Sequence, residues 1–117
     1  MNQLFSKRDK ALLRELAGQV WEAELNAELE RLYGCFCEWK EGTMNPFDLS
    51  NKIHQFHKGA ARSLYNLHNN IDPWMAVARG LELGLLPKSD VDAALLEKLL
   101  PFKRFLQTHD DNDDESA

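Results

Sequence analysis

The longest uninterrupted pattern in the chain is a helical one close to its N-terminus. From Lys7 to Glu41, apolar residues recur with the period of about 3.6 residues that is typical of an amphipathic helix. Ser6 is placed to cap the first turn, and Asp9 is placed to complete a capping box. Gly42 is suited to end the helix in a left-handed conformation. The predicted helix is roughly 50 Å long at about 1.5 Å per residue, which is more than a small globule needs.

Large apolar residues in the second half of this helix repeat at intervals of four and three residues, the spacing of a coiled-coil seam. We call them the leucine–aromatic seam, which consists of Leu25, Leu29, Leu32, Phe36 and Trp39. Two outcomes are compatible with so long a helix. Either it breaks near Gly18 or Gly34 and folds back on its own core, or the seam packs against a second chain. The second outcome makes the seam a candidate homodimer interface.

A second helical segment begins with clear local signals. Asn45 is placed as the N-cap, Pro46 occupies the first helical position, and Asp48 occupies the third. A single apolar stripe then continues to the end of the segment. Because Gly59 lies in the middle of that stripe, the pattern leaves open whether residues 46–70 form one helix or two.

Proline and glycine also delimit the elements that follow. Asp72 and Pro73 have the residue types of a helix start, and they predict a third helix that stops at Gly84. A fourth helix is predicted from Ser89, with Asp92 completing a second capping box. No part of the chain shows the sustained alternation of apolar and polar residues that indicates a β-strand.

The C-terminus differs in composition from the rest of the chain. Pro101 is expected to kink the fourth helix or to start a short last one. After Thr108 the chain is rich in aspartate and has no apolar residue before Ala117, so disorder is expected there. The sequence therefore predicts an all-α domain over residues 1–108, a small bundle of four to five helices with a long first helix. A disordered acidic tail over residues 109–117 completes the chain.

Membrane and secreted classes are not expected from the sequence. No apolar run approaches the roughly 18 residues that a transmembrane helix needs, and the polar N-terminus does not resemble a signal peptide. Cys35 and Cys37 are separated by one residue, which makes a poor disulfide bond, so both are interpreted as reduced thiols. These features predict a cytoplasmic protein that has no contact with a membrane.

Nucleic-acid binding is also not expected. The net charge of −5 comes from the five acids of the tail, and the body up to residue 109 is formally neutral. Residues 76–99 have the spacing of a helix-turn-helix, but the second helix would present Asp90, Asp92 and Glu97 against Lys98, and carboxylates repel phosphates. A basic cluster near the N-terminus is interpreted as solvated surface; it comprises Lys7, Arg8, Lys10 and Arg14.

The second segment contains three histidines, of which His54 and His57 are the candidate metal ligands. His54 and His57 are three residues apart on one helix, a spacing that can chelate a metal if a neighbouring helix supplies a third ligand. In a regular α-helix, His57 and His68 would project within roughly 20° of each other, but about 16 Å apart along the axis. The favoured interpretation is that these histidines flank the apolar stripe and bind no metal.

The sequence contains no pattern that indicates catalysis. It has no serine in a glycine-flanked elbow and no glycine-rich phosphate loop, and Asp48 and Asp72 are interpreted as helix caps. We therefore expect a non-enzymatic regulatory or adaptor protein without a cofactor, which acts through protein–protein contacts and forms a homodimer. A metal-binding protein that uses His54 and His57 is the alternative, and a DNA-binding regulator is the third hypothesis.

Overall fold

The computed structural model describes residues 4–100 of the chain. These residues form helices and turns and include no strand, which confirms the all-α prediction. The elements are α1 (Lys7–Glu41), α2 (Pro46–Gln55), a π-helical turn (Phe56–Ala61), α3 (Arg62–Asn70), α4 (Pro73–Glu82), a 3-10 turn (Lys88–Asp90) and α5 (residues 93–100). The predicted tail over residues 109–117 and the predicted kink at Pro101 lie outside the described residues.

The first helix is a single element of 35 residues. It does not break at Gly18 or Gly34, since a glycine inside a helix costs only about 1 kcal/mol relative to alanine. Its predicted capping box is present: the Asp9 amide donates to Ser6 Oγ at 3.1 Å, and the Ser6 amide donates to Asp9 Oδ2 at 3.2 Å. Gly42 follows the helix with a φ of +88°, the left-handed conformation that glycine adopts without strain.

The second segment is one continuous helical path from Pro46 to Asn70. Its start is confirmed, because Asn45 Oδ1 accepts a hydrogen bond of 2.8 Å from the Asp48 amide. The question raised by Gly59 is answered by a wide turn with i→i+5 hydrogen bonds, which lies between α2 and α3 and contains this glycine. The helical path therefore continues through Gly59, but the side chains after the wide turn point in different directions from those of a regular α-helix.

The chain divides into two compact units, and α1 contributes residues to both. Of the described residues, the first unit contains 4–20 and 71–100, and the second contains 21–70. The second unit is a helical hairpin, which we call the hairpin unit. Its first arm is residues 21–41 of α1, and its second arm is residues 46–70. A loop of only four residues joins the arms, the usual length for antiparallel neighbours.

The first unit contains a hydrophobic core made by α1, α4, α5 and the segments beside them. Its buried members are Phe5, Leu13, Leu16, Val20, Val77, Leu81, Leu86, Val91, Leu95 and Leu99. The predicted start of the fourth helix at Ser89 is wrong. Residues 88–90 form a 3-10 turn, and the Leu96 amide bonds to the Asp92 carbonyl at 2.8 Å, so Asp92 is the cap of α5.

Gly80 allows α4 to approach α1 closely, and this contact supports a stability prediction. A Cβ atom at Gly80 would collide with Val20 Cγ2 and lie only 3.1 Å from Val20 Cγ1. We expect Gly80→Ala to lower the free energy of unfolding by about 1–3 kcal/mol, as overpacking does. Gly18→Ala is the matched control, since nothing lies within 4 Å of its added methyl group, and it should be stabilising by up to about 1 kcal/mol. Urea denaturation checks both values, and two changes of equal sign would contradict the prediction.

Candidate interaction surface

The hairpin unit buries very little apolar surface. Among residues 21–70, Leu49 is the one hydrophobic side chain that is fully buried, at 6% exposure. The buried residues of α1 all belong to its first half, because none lies beyond Val20. A unit of this size rarely holds a stable structure without a larger core, a disulfide bond, a metal or a partner chain. The hairpin unit is therefore the part of the molecule that most needs additional packing.

Large apolar side chains of the hairpin unit remain in contact with solvent. They are Leu29, Tyr33, Phe36, Trp39, Phe47, Ile53 and Tyr65. Single exposed apolar residues are normal on a protein surface, but this unit exposes seven in fifty residues, and both arms contribute. A concentration of this kind is typical of a surface that another chain covers.

The structure separates the predicted leucine–aromatic seam into two groups. Leu25 and Leu32 are half-buried, and Leu32 lines the cleft between the two arms together with Phe56. Leu29, Phe36 and Trp39 are exposed at 42%, 40% and 43%. Tyr33, which sequence analysis leaves outside the seam, is 69% exposed and lies between Leu29 and Phe36 at helical spacing. The exposed stripe of the first arm thus comprises Leu29, Tyr33, Phe36 and Trp39.

An aromatic cluster, which sequence analysis does not predict, connects the two arms. Trp21 stacks on His68 with ring centroids 5.6 Å apart at an interplanar angle of 8°, and it meets Tyr65 edge-on at 6.0 Å. His68 Nε2 lies 3.0 Å from Glu24 Oε1, and the His68 side chain is only 3% exposed. One signal was available in the sequence: Trp21 and Glu24 on one arm, and Tyr65 and His68 on the other, are both pairs spaced by three residues.

The π-helical turn explains why His68 and His57 have different surroundings. A π turn holds about one more residue than an α turn, which rotates the following side chains by roughly 100° from a regular helix. The alignment of His57 with His68 expected for a regular α-helix is therefore lost. His68 faces the first arm, whereas His57 is exposed to solvent.

His54 and His57, the candidate metal ligands, line one open cleft on the second arm. Both are exposed, and Ser50, Asn51 and Ile53 complete the lining. Within residues 4–100, no group of three or more histidine, cysteine or acidic side chains is arranged to hold a metal ion. The described residues thus supply the predicted pair and no third ligand beside it.

Both cysteines are free thiols on the first arm and are half-buried. Cys35 lines the cleft between the arms, whereas Cys37 interacts with Tyr33 one turn earlier. A side-chain hydrogen bond with Cys37, together with the negative charge of its thiolate form, raises the pKa of the Tyr33 hydroxyl. The exposed stripe therefore has a polar hydroxyl at its centre, next to a sulfur atom.

The residues proposed for DNA recognition lie in the first unit. Lys98, the single cation of the predicted recognition helix, donates to Asp9 Oδ2 at 2.6 Å. This hydrogen bond is the main cause of a pKa for Asp9 below its usual value. Two members of the N-terminal basic cluster, Lys10 and Arg14, line a cavity of about 290 Å³ beside Trp74. No observed contact favours phosphate binding over a structural role for these groups.

The structure thus defines an all-helical protein with one well-packed unit and one hairpin unit whose apolar side chains are exposed. No described helix is both long enough and apolar enough to cross a membrane. No protein-family model matches the sequence, and comparison with curated proteins and with solved structures gives no match.

Proposed function

We propose that this protein is a non-enzymatic, homodimeric interaction protein of the cytoplasm, and that the hairpin unit is its association surface. The observation that carries the proposal is the contrast within residues 21–70, where Leu49 is buried and seven large apolar side chains are exposed. We also propose a regulatory or adaptor role, in which the protein acts through contacts between chains and catalyses no reaction.

The energetic reason lies in the exposed stripe of the first arm. Fully burying a large apolar side chain stabilises a protein by roughly 1.5–3 kcal/mol relative to leaving it in water. Leu29, Phe36 and Trp39 each retain about two fifths of their exposure, so a partner could still gain part of this energy at each of them. Phe47 is 80% exposed at the start of α2 and offers a larger gain.

A second copy of the chain is the simplest partner. Two helical hairpins that pack face to face form a four-helix bundle, in which each apolar stripe is covered by the other molecule. A twofold dimer of this kind uses the same surface on both copies and closes after two chains. Such a dimer covers the exposed apolar side chains without a second kind of protein.

Measurement of the molecular mass in solution tests the proposal. Light scattering should report twice the chain mass of 13.5 kDa at micromolar concentrations. The measured mass should fall towards that of one chain on dilution, because a reversible dimer dissociates when the protein concentration drops below its dissociation constant. A species of 13.5 kDa that persists at high micromolar concentration would contradict the proposed dimer.

A further inference from the structure

The two arms of the hairpin unit carry opposite charges. The first arm has six glutamates against Arg31 and Lys40, which gives a net charge of −4. The second arm has three cations and a single acid, Asp48, which gives a net charge of +2 with neutral histidines. Asp48 lies at the start of α2, where Asn45 binds it, so residues 49–70 contain no acid at all.

Contacts within the hairpin use only part of this charge. Glu24 lies against His68, and Glu28 pairs with Arg31 on its own helix. The other four acids of the first arm are exposed: Glu22, Glu30, Glu38 and Glu41. The three cations of the second arm are also exposed, and none of them makes an ion pair with another described residue: Lys52, Lys58 and Arg62. Opposite charges therefore remain available on the surfaces of both arms.

The second arm also carries clefts that are open to solvent. Two neighbouring clefts of about 460 and 510 Å³ lie along it and share His57. Ile53 lines one cleft, and Ala61 and Tyr65 line the other together with Lys58 and Arg62. An apolar helix edge flanked by acids matches a row of this kind, and the exposed stripe of the first arm has those properties.

From these observations we infer that, in the dimer, the first arm of each copy packs against the second arm of the other copy. This inference rests on the proposed homodimer and adds the order of its helices. A bundle of two hairpins can place like arms side by side or diagonally across the bundle. With like arms side by side, two first arms of charge −4 would be neighbours, whereas with like arms on the diagonal every neighbouring pair of arms has opposite charges.

The proposed order of the helices is tested by measuring the dissociation constant of the full-length dimer. Two things are varied: the salt concentration and the charged side chains of each arm. Between 50 mM and 500 mM sodium chloride, we expect the dissociation constant to rise about tenfold, because salt screens exposed opposite charges. The triple variant Glu22→Gln, Glu30→Gln, Glu38→Gln should weaken the dimer about tenfold at low salt. The double variant Lys58→Gln, Arg62→Gln should also weaken it, by several-fold. Sedimentation at several concentrations measures all four constants.

A charge-matched control separates this effect from net charge. The control is Asp110→Asn, Asp111→Asn, Asp113→Asn, which removes the same number of negative charges from the C-terminal tail. It should leave the low-salt dissociation constant within about twofold of the parent value. Circular dichroism of every variant checks that its helix content equals that of the parent, so that unfolding is not mistaken for dissociation.

The possible results distinguish this inference from the proposal beneath it. A dimer that tightens with salt or with the three glutamine substitutions on the first arm, while the tail control leaves it unchanged, has like arms side by side. This result overturns the inference and leaves the homodimer intact. A monomer under all conditions overturns the homodimer itself. If the double variant dimerises normally but loses binding to a single-stranded oligonucleotide, the second arm is a nucleic-acid surface and the inferred order is wrong.

Discussion

Phe36→Glu should convert the dimer into monomers, with a dissociation constant raised at least about 100-fold. In a single chain Phe36 is 40% exposed, so the glutamate can remain hydrated and the hairpin can keep its helices. In the dimer the carboxylate would be buried against apolar side chains, which costs several kcal/mol unless a partner compensates it. Light scattering and sedimentation measure the change. Leu29→Glu, seven residues earlier on the same stripe, should have the same effect.

The control for this prediction is Leu83→Glu. Leu83 is a large apolar residue at 53% exposure that belongs to the first unit, so the chemical change is the same and the location is different. Its mass in solution should equal that of the parent dimer. If Phe36→Glu is folded and still dimeric, the exposed stripe of the first arm is not the interface. A general effect of added negative charge would appear equally in both variants.

The sequence predicts helix boundaries well where a few neighbouring residues decide them. Ser6 and Asp9 bond to each other's amides, Asn45 accepts from Asp48, and Gly42 adopts a positive φ. Each of these contacts spans three residues or fewer, so the residue types alone define it. Ser89 has the same residue type as Ser6, but residues 88–90 form a 3-10 turn, and the cap of α5 is therefore Asp92.

The π-helical turn was beyond what periodicity can indicate. Phe56, Ala60 and Leu64 are spaced by four residues in the sequence. This spacing fits an apolar stripe on a regular α-helix and gives no sign that a π-helical turn interrupts it. The rotation it produces decides the surroundings of His68, which sequence analysis aligns with His57. The contact of His68 with Glu24 spans 44 residues along the chain, so the three-residue spacing of the pairs on each arm does not reveal it by itself.

The leucine–aromatic seam shows a second limit of periodicity. Leu25 and Leu32 are seven residues apart, as are Leu29 and Phe36, so the seam consists of two parallel rows on one helix. The spacing predicts that both rows need apolar neighbours. It does not distinguish a neighbour in the same chain from one in another chain. In the structure Leu25 and Leu32 are half-buried, whereas Trp39, seven residues further along their row, and both residues of the other row are exposed.

The aromatic cluster between the arms leads to the second large prediction. Trp21→Ala should lower the free energy of unfolding by about 2–4 kcal/mol, because it removes the stack on His68 and the edge contact with Tyr65. In a unit where Leu49 is the one fully buried hydrophobic residue, no other contact replaces these two. Urea denaturation at a protein concentration below the dimer dissociation constant measures the loss for single chains.

Trp39→Ala is the matched control for Trp21→Ala, since the two tryptophans lie on the same arm and undergo the same truncation. Trp39 is 43% exposed near the end of α1, and its removal should cost a single chain less than about 1 kcal/mol. At concentrations above the dissociation constant its cost should rise, because the dimer covers the exposed stripe, whereas the cost of Trp21→Ala should stay nearly constant. Equal losses for both variants at low concentration would show that the cluster of Trp21, Tyr65 and His68 does not hold the arms together.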